Sequence, residues 1–276
     1  MIRDITIGQY YKADSVIHRL DPRVKLMGTL IFIISLFMGM NIWIYAVVTV
    51  ALAVVIKMSR IPLKFMVRGL KSIVILIIIS AVFNLFLTPG DVLIQIWKLT
   101  ITYQGLKMAI FMVVRLIYLI VGTSLMTLTT TPNNLTDGLE KGLGFLKVIK
   151  VPVHEIAMMM SIALRFIPIL IEETDKIMKA QMARGADFEH GNIIKRAKSM
   201  VPLLVPLFVS AFRRADDLAM AMEARCYNGG EGRTKMKPLV YEKDDKIAYL
   251  FIFAFLAVVI VLRILLPVNL GNLIFR

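Results

Sequence analysis

Apolar residues in this chain fall into long runs separated by short charged segments, the pattern of helices solvated by lipid. A bilayer core about 30 Å thick is crossed by about 20 mostly apolar helical residues. Five runs reach or approach that length, at 24–40, 42–58, 70–88, 105–128 and 247–268. The first two meet at Gly39-Met40-Asn41, room for a tight turn only, so they are expected to form an antiparallel hairpin. Both are slightly short, a mismatch that a bilayer tolerates. Two further apolar runs, 156–171 and 201–212, are shorter still. The first carries Arg165, the second Pro202 and Pro206, and each continues into a charged helical stretch. They are expected to be buried or interfacial helices rather than spans.

The fold class that follows is an all-α membrane protein with about five transmembrane helices and a domain of long amphipathic helices. Four spans make an N-terminal membrane domain at 1–128, the amphipathic helices occupy 129–245, and the last span lies at 246–276. Thr129-Thr130-Thr131-Pro132 breaks the chain away from the fourth span, and a shorter helix is expected from Asn133-Asn134.

Charge gives the orientation. Lys57, Arg60, Lys64, Arg68 and Lys71 lie between spans two and three with no acid among them, whereas Thr88 to Gln104 holds only Asp91 and Lys98. The positive-inside rule puts the first loop in the cytoplasm and the second outside. The N-terminus and 129–245 are then cytoplasmic and the C-terminus is outside. The chain is 58% hydrophobic with a net charge of +14, and basic loops beside apolar spans account for that charge without a nucleic-acid partner. The opening MIRDITIGQYYKADS is polar and lacks a signal-peptide core, so the first span is expected to persist as an anchor.

Candidate chemistry is sparse. The sequence has no GxxxxGK[ST], HExxH or GxSxG motif, and Cys226 is its single cysteine. Catalysis, a cofactor and a metal are therefore not expected. His18, His154 and His190 stand far apart in the sequence. Met158-Met159-Met160 offers soft thioethers, but consecutive helical residues diverge, so packing is the better reading. Arg115 falls near the middle of span four, where a charge is costly, with Asn84 on span three as a possible polar neighbour; a structural role and one nearer a transport path both stay open. Arg263 is expected to reach the membrane interface.

The amphipathic segment carries two patterns. Phe208, Phe212, Ala215, Ala219, Met222 and Cys226 recur by threes and fours on one helix face, and Ile167, Ile171, Met178 and Met182 do so on the preceding helix. Such faces are expected to pack on each other or against a partner or membrane surface. Each helix also ends alike, at Ala183-Arg184-Gly185 and at Ala224-Arg225-Cys226. A guanidinium between small residues enters a groove unobstructed and offers a rigid fork to a carboxylate. Ordinary helix-end arginines satisfy the same pattern.

GQYYKADSVIHRLDPRVKL (Gly8 to Leu26), SAFRRADDLAMAMEARCY (Ser210 to Tyr227) and the two arginine triplets resemble the transmembrane T component of energy-coupling factor (ECF) transporters, over essentially the whole length. The resemblance implies a non-catalytic subunit that joins two ATP-binding-cassette ATPases to a membrane-embedded substrate-binding S component, which can be exchangeable, for vitamin or micronutrient uptake. It implies that 129–245 is a coupling domain and that Arg184 and Arg225 dock on the ATPases. It leaves Phe208, Phe212, Ala215, Ala219 and Met222 for helix pairing or S-component contact. The competing readings are a secondary transporter, which calls for internal repeats and broken spans, and a membrane scaffold working without ATPases.

Overall fold

The computed structural model describes residues 10–39, 41–96, 99–186, 188, 192–230, 236 and 238–266. Among them are α1 (Val16–Arg19), α2 (Pro22–Phe37), α3 (Ile42–Ser59), α4 (Leu63–Leu87), β1 (Val92–Ile96), β2 (Leu99–Thr102), α5 (Tyr103–Thr129), α6 (Pro132–Gly142), a 3-10 stretch at Gly144–Ile149, α7 (Val153–Ala183), α8 (Ile193–Glu223) and α9 (Lys243–Leu265). The chain folds as two compact units. One contains α1–α5, the β-hairpin and α9; α6 leads out of it, and the other contains the 3-10 stretch, α7 and α8.

In the first unit α2 and α3 form the expected hairpin. Leu36, Ile44, Tyr45 and Val48 bury together with Val259 of α9. Lipid tails are as apolar as these side chains, so close packing rather than exclusion from water holds such helices together. α2 supplies it on two faces. Gly28 brings it against Ile252 of α9, where an added Cβ would sit 3.1 Å from Ile252 Cδ1, and the Phe32 ring occupies the space a side chain would take at Gly122 of α5.

Polar ties close both ends of this bundle. At one end the Asn41 carbonyl accepts from Trp43 N (3.1 Å) to start α3, while its amide donates to Leu266 O at the end of α9 (3.0 Å). At the other end the buried Asp245 carboxylate accepts from Glu242 N (2.8 Å) to start α9 and from Asp21 N (2.7 Å) at the head of α2. Asp21 in turn accepts from Arg23 N (2.8 Å) and pairs with the Arg23 guanidinium (2.7 Å), which lies over the Tyr241 ring. Burial alone would push the Asp21 carboxyl up, but the Arg23 hydrogen bonds and charge outweigh it and hold the group below its ordinary value. Lys25 donates to His18 O and Thr129 O, both at 3.0 Å. Burial beside these groups lowers the His18 imidazole.

Between α4 and α5 the structure places a two-stranded antiparallel hairpin, with Gln95 opposite Thr100 and Ile96 opposite Leu99, where the sequence suggested an outside loop. Valine, isoleucine and threonine in VLIQI and LTIT favour strand. Residues 97–98, including Lys98, lie outside the described residues. Thr102 ties the hairpin to both neighbouring helices, accepting from Gly105 N of α5 (3.0 Å) and donating to Thr88 O at the end of α4 (2.8 Å).

Length and apolarity mark four or five candidate spans, in keeping with the about five expected. α3, α5, α7 and α9 are long and apolar enough to cross a membrane, and α4 makes a fifth if its two pieces, bent by 62° between Lys71 and Ile73, count as one. α2, with 16 residues, falls short of that length. α7 departs from expectation: the 156–171 run looked too short, yet one uninterrupted helix of 31 residues carries it from Val153 to Ala183. Pro168 lies inside this helix, which continues past it despite the lost backbone donor and the crowding of its ring against the preceding turn.

Candidate functional site

The second unit is dominated by α7 and α8, each 31 residues long, or about 46 Å at 1.5 Å per residue. Leu203 of α8 is buried, and Leu207, Ser210, Arg214, Leu218 and Met222 are half-buried at helical spacing. This stripe faces inward, and in it Arg214 Nη2 donates to Glu173 Oε2 of α7 at 3.4 Å.

The stripe singled out in the sequence lies on an adjoining side. Phe208 and Phe212 are 61% and 66% exposed with their rings stacked 6.3 Å apart, and Ala215 and Ala219 are exposed too. Met222 alone of those five is half-buried, so the helix-pairing option does not describe Phe208, Phe212, Ala215 and Ala219. The side chains that pair are one step round the helix, because the seam admits a partly solvated Arg–Glu contact that an apolar search overlooks. Arg213 and Asp217 remain exposed.

Both helices end in the same backbone figure. After α7, Ala186 N donates to Gln181 O (3.0 Å), Gly185 N to Met182 O (3.0 Å), and Gly185 is left-handed at φ 87°. After α8, Tyr227 N donates to Met222 O (3.1 Å), Cys226 N to Glu223 O (2.8 Å), and Cys226 is left-handed at φ 54°. Such a stop satisfies carbonyls that would otherwise be left over at the helix end. Arg184 and Arg225 each stand just before the left-handed residue. Every member of the triplets Ala183-Arg184-Gly185 and Ala224-Arg225-Cys226 is exposed. Each arginine thus stands at a negative helix end, which favours a cation. Neither makes an ion pair among the described residues.

The crossing and the tips are in register. Arg184 lies eleven residues past Glu173 and Arg225 eleven past Arg214 (184 − 173, 225 − 214). Each arm from the crossing to its arginine is thus about 16 Å. The tips are well separated. Gly230 packs against the ring of His154 in the first turn of α7, with no room for a Cβ between them. Five residues of chain from Arg225 to Gly230 span at most about 18 Å, whereas thirty helical residues from His154 to Arg184 cover about 45 Å. Arg184 and Arg225 are therefore at least about 20 Å apart, two points rather than one.

The remaining candidates are placed as follows. Arg115 is buried, donates from Nε to Tyr45 Oη (3.0 Å) and stands 5.1 Å from the Phe37 ring centroid. Phe37 ends α2 and Tyr45 is in the first turn of α3, so the guanidinium lies at the depth of the α2–α3 turn rather than at mid-span. Asn84 does not reach it: its amide donates to Ser80 O of its own helix (2.8 Å). His154 Nδ1 contacts Glu140 Oε1 at 2.8 Å and His18 contacts Ser15 Oγ at 2.7 Å; His190 lies outside the described residues. Among the described residues no three His, Cys, Asp or Glu side chains gather as metal ligands. Met159 and Met160 are exposed and Met158 is half-buried.

Comparison with known proteins covers both arginine tips. A family model described as "Cobalt transport protein" (CbiQ) matches residues 13–236. Proteins named energy-coupling factor transporter transmembrane protein EcfT match nearly end to end. That of Thermosediminibacter oceani is 58% identical over 90% of this chain and 94% of its own length. That of Clostridium kluyveri is 54% identical over 96% and 98%, and that of Bacillus subtilis 47% over 95% and 100%.

Proposed function

The chain belongs to the CbiQ family of membrane transport proteins, and from that premise we propose that it is the transmembrane coupling component of an ECF-type importer. In this reading it is non-catalytic and joins two ATP-binding-cassette ATPases to one S component that captures a vitamin or other micronutrient. The observation that carries the reading is the pair of matched helix ends: two exposed arginines in the same backbone stop, each eleven residues past one crossing and well apart.

Two separated cationic tips suit two sockets lined by carboxylates. When the bound ATPases close, they push the tips together or apart, and rigid helices convert that push into rotation about the Glu173–Arg214 crossing. Stiff rods joined at one point transmit displacement, whereas a flexible linker would absorb it. The exposed Phe208–Phe212–Ala215–Ala219 face is then the surface against which an S component can be tilted, with Met222 at its edge.

The same reading puts 129–245 on the cytoplasmic side, since ATP is there, and gives α7 an interfacial place although its length would let it cross. Arg165 falls inside the apolar half of α7, where burial in hydrocarbon is costly. With α2 counted as a crossing, a little short but within the mismatch a bilayer tolerates, the N-terminus is then cytoplasmic and the C-terminus outside. Purification in mild detergent, with identification of every co-eluting chain, tests the assignment. Two P-loop ATPases and a small apolar membrane protein are expected. A stable, transport-competent complex without a nucleotide-hydrolysing chain overturns it.

A further inference from the structure

At the end of α3 a cleft of about 390 Å³ is lined by Asp14, Ser15, Val16, Arg19, Lys57, Met58 and Arg60. Three cations and one carboxylate leave it with two net positive charges. Asp14 is engaged: its Oδ1 accepts from Arg19 Nε (3.0 Å) and Nη2 (2.8 Å), and its carbonyl accepts from Arg60 Nη1 (3.5 Å). Lys57 has no counter-charge among the described residues. Arg60 is left-handed at φ 55°, a conformation that glycine adopts more freely than a residue with a Cβ.

The cleft opens onto apolar surface. Met58 is 44% exposed, and Val54 and Val50 follow it at 50% and 63%. Positions 50, 54 and 58 lie one above another on a helix. An exposed apolar track therefore runs along the membrane-spanning α3 and ends under the basic cleft. A free anion would use the cleft and leave the track idle; an amphiphile with an anionic head and acyl chains uses both.

We infer that this is a binding site for an anionic phospholipid, with the headgroup phosphate held by Lys57, Arg60 and Arg19 and an acyl chain along Met58, Val54 and Val50. The site belongs to the membrane unit and does not depend on any ATPase, so it stands or falls separately from the coupling reading.

The test is native mass spectrometry of the full chain in detergent, titrated with dioleoyl phosphatidylglycerol, dioleoyl phosphatidylcholine and inorganic phosphate. Wild type is expected to retain phosphatidylglycerol in preference to phosphatidylcholine. Lys57→Gln with Arg60→Gln is expected to reduce that preference by about fivefold for each cation removed. Lys64→Gln with Lys71→Gln, two cations that do not line the cleft, is expected to leave it unchanged. If the double change at 57 and 60 does not yield folded protein, Lys57→Gln alone carries the test with a single-cation loss. No lipid preference in wild type, an equal loss in the 64/71 control, or displacement of the lipid by equimolar inorganic phosphate overturns the inference.

Discussion

Glu173 and Arg214, on two helices of equal length and 41 positions apart in the sequence, meet at 3.4 Å. The same offset of 41 relates Arg184 to Arg225 and the left-handed Gly185 to the left-handed Cys226. One geometry is thus used twice, and in the proposed coupling the Glu173–Arg214 contact is the point about which the two arms turn. The pair is partly solvated, so it marks the crossing more than it secures it.

Replacement of the tips separates docking from folding. Arg184→Ala or Arg225→Ala should leave the thermal unfolding of the isolated chain within about 0.5 kcal/mol of wild type, since both side chains are exposed. In the complex each change should weaken ATPase attachment by about 2–5 kcal/mol if the arginine meets a buried carboxylate there. The double variant should lose ATPase co-purification or uptake. Retention of both by the double variant rejects docking at these points.

Cys226 gives a change of opposite sign. Cys226→Gly relieves a left-handed residue that has a Cβ, and should stabilise the end of α8 by about 1 kcal/mol. Gly185→Ala imposes that cost at the end of α7 and should destabilise by a similar amount. Thermal melts of the two variants in detergent should move in opposite directions. Shifts of the same sign would show that the two stops are not alike.

Ala215→Leu and Ala219→Leu test the exposed face. Because α8 turns a different stripe inward, neither should disturb the isolated chain by more than about 0.5 kcal/mol. Both should lower recovery of the S component and coupled uptake. Unchanged coupled uptake in both variants removes this face from the contact.

Asp245→Asn tests the tie between α2 and α9. The carboxylate accepts from two backbone donors while buried. An amide can turn its oxygen to only one of them and must set its NH2 against the other. A loss of about 2–3 kcal/mol is expected in thermal unfolding. A loss below about 0.5 kcal/mol would show that water replaces the tie.

Orientation is checked by labelling in a Cys226→Ser background. A cysteine at position 98 should react with an impermeant maleimide from outside intact cells, and one at 195 only after permeabilisation. The reverse pattern rejects the proposed topology.

Much of the molecule is legible along the chain. Apolar runs of span length mark α3, α5 and α9, because a helix in lipid must satisfy its backbone internally and the surplus of apolar side chains shows it. The arginine triplets are legible as well, since a small–arginine–small pattern at a helix end needs no partner to be seen. Helix length inside the 129–245 segment is less so: the 156–171 run reads as too short to span, yet it lies within the 31 residues of α7.

What the sequence by itself determined is local: which stretches are helical, which are apolar, where charge is excluded, and which residues end each long helix. What only the tertiary structure decided is mutual position. It chose the 203–207–210–214–218–222 stripe of α8 to face inward and left Phe208, Phe212, Ala215 and Ala219 outside. It also matched Arg115 with Tyr45 rather than Asn84, brought Glu173 to Arg214, and set two arginines at least about 20 Å apart on arms of equal length. Periodicity fixes the angle of a side chain about its own helix axis. The rotation and crossing of one helix against another follow from packing contacts between residues far apart in the chain, and no single segment encodes them.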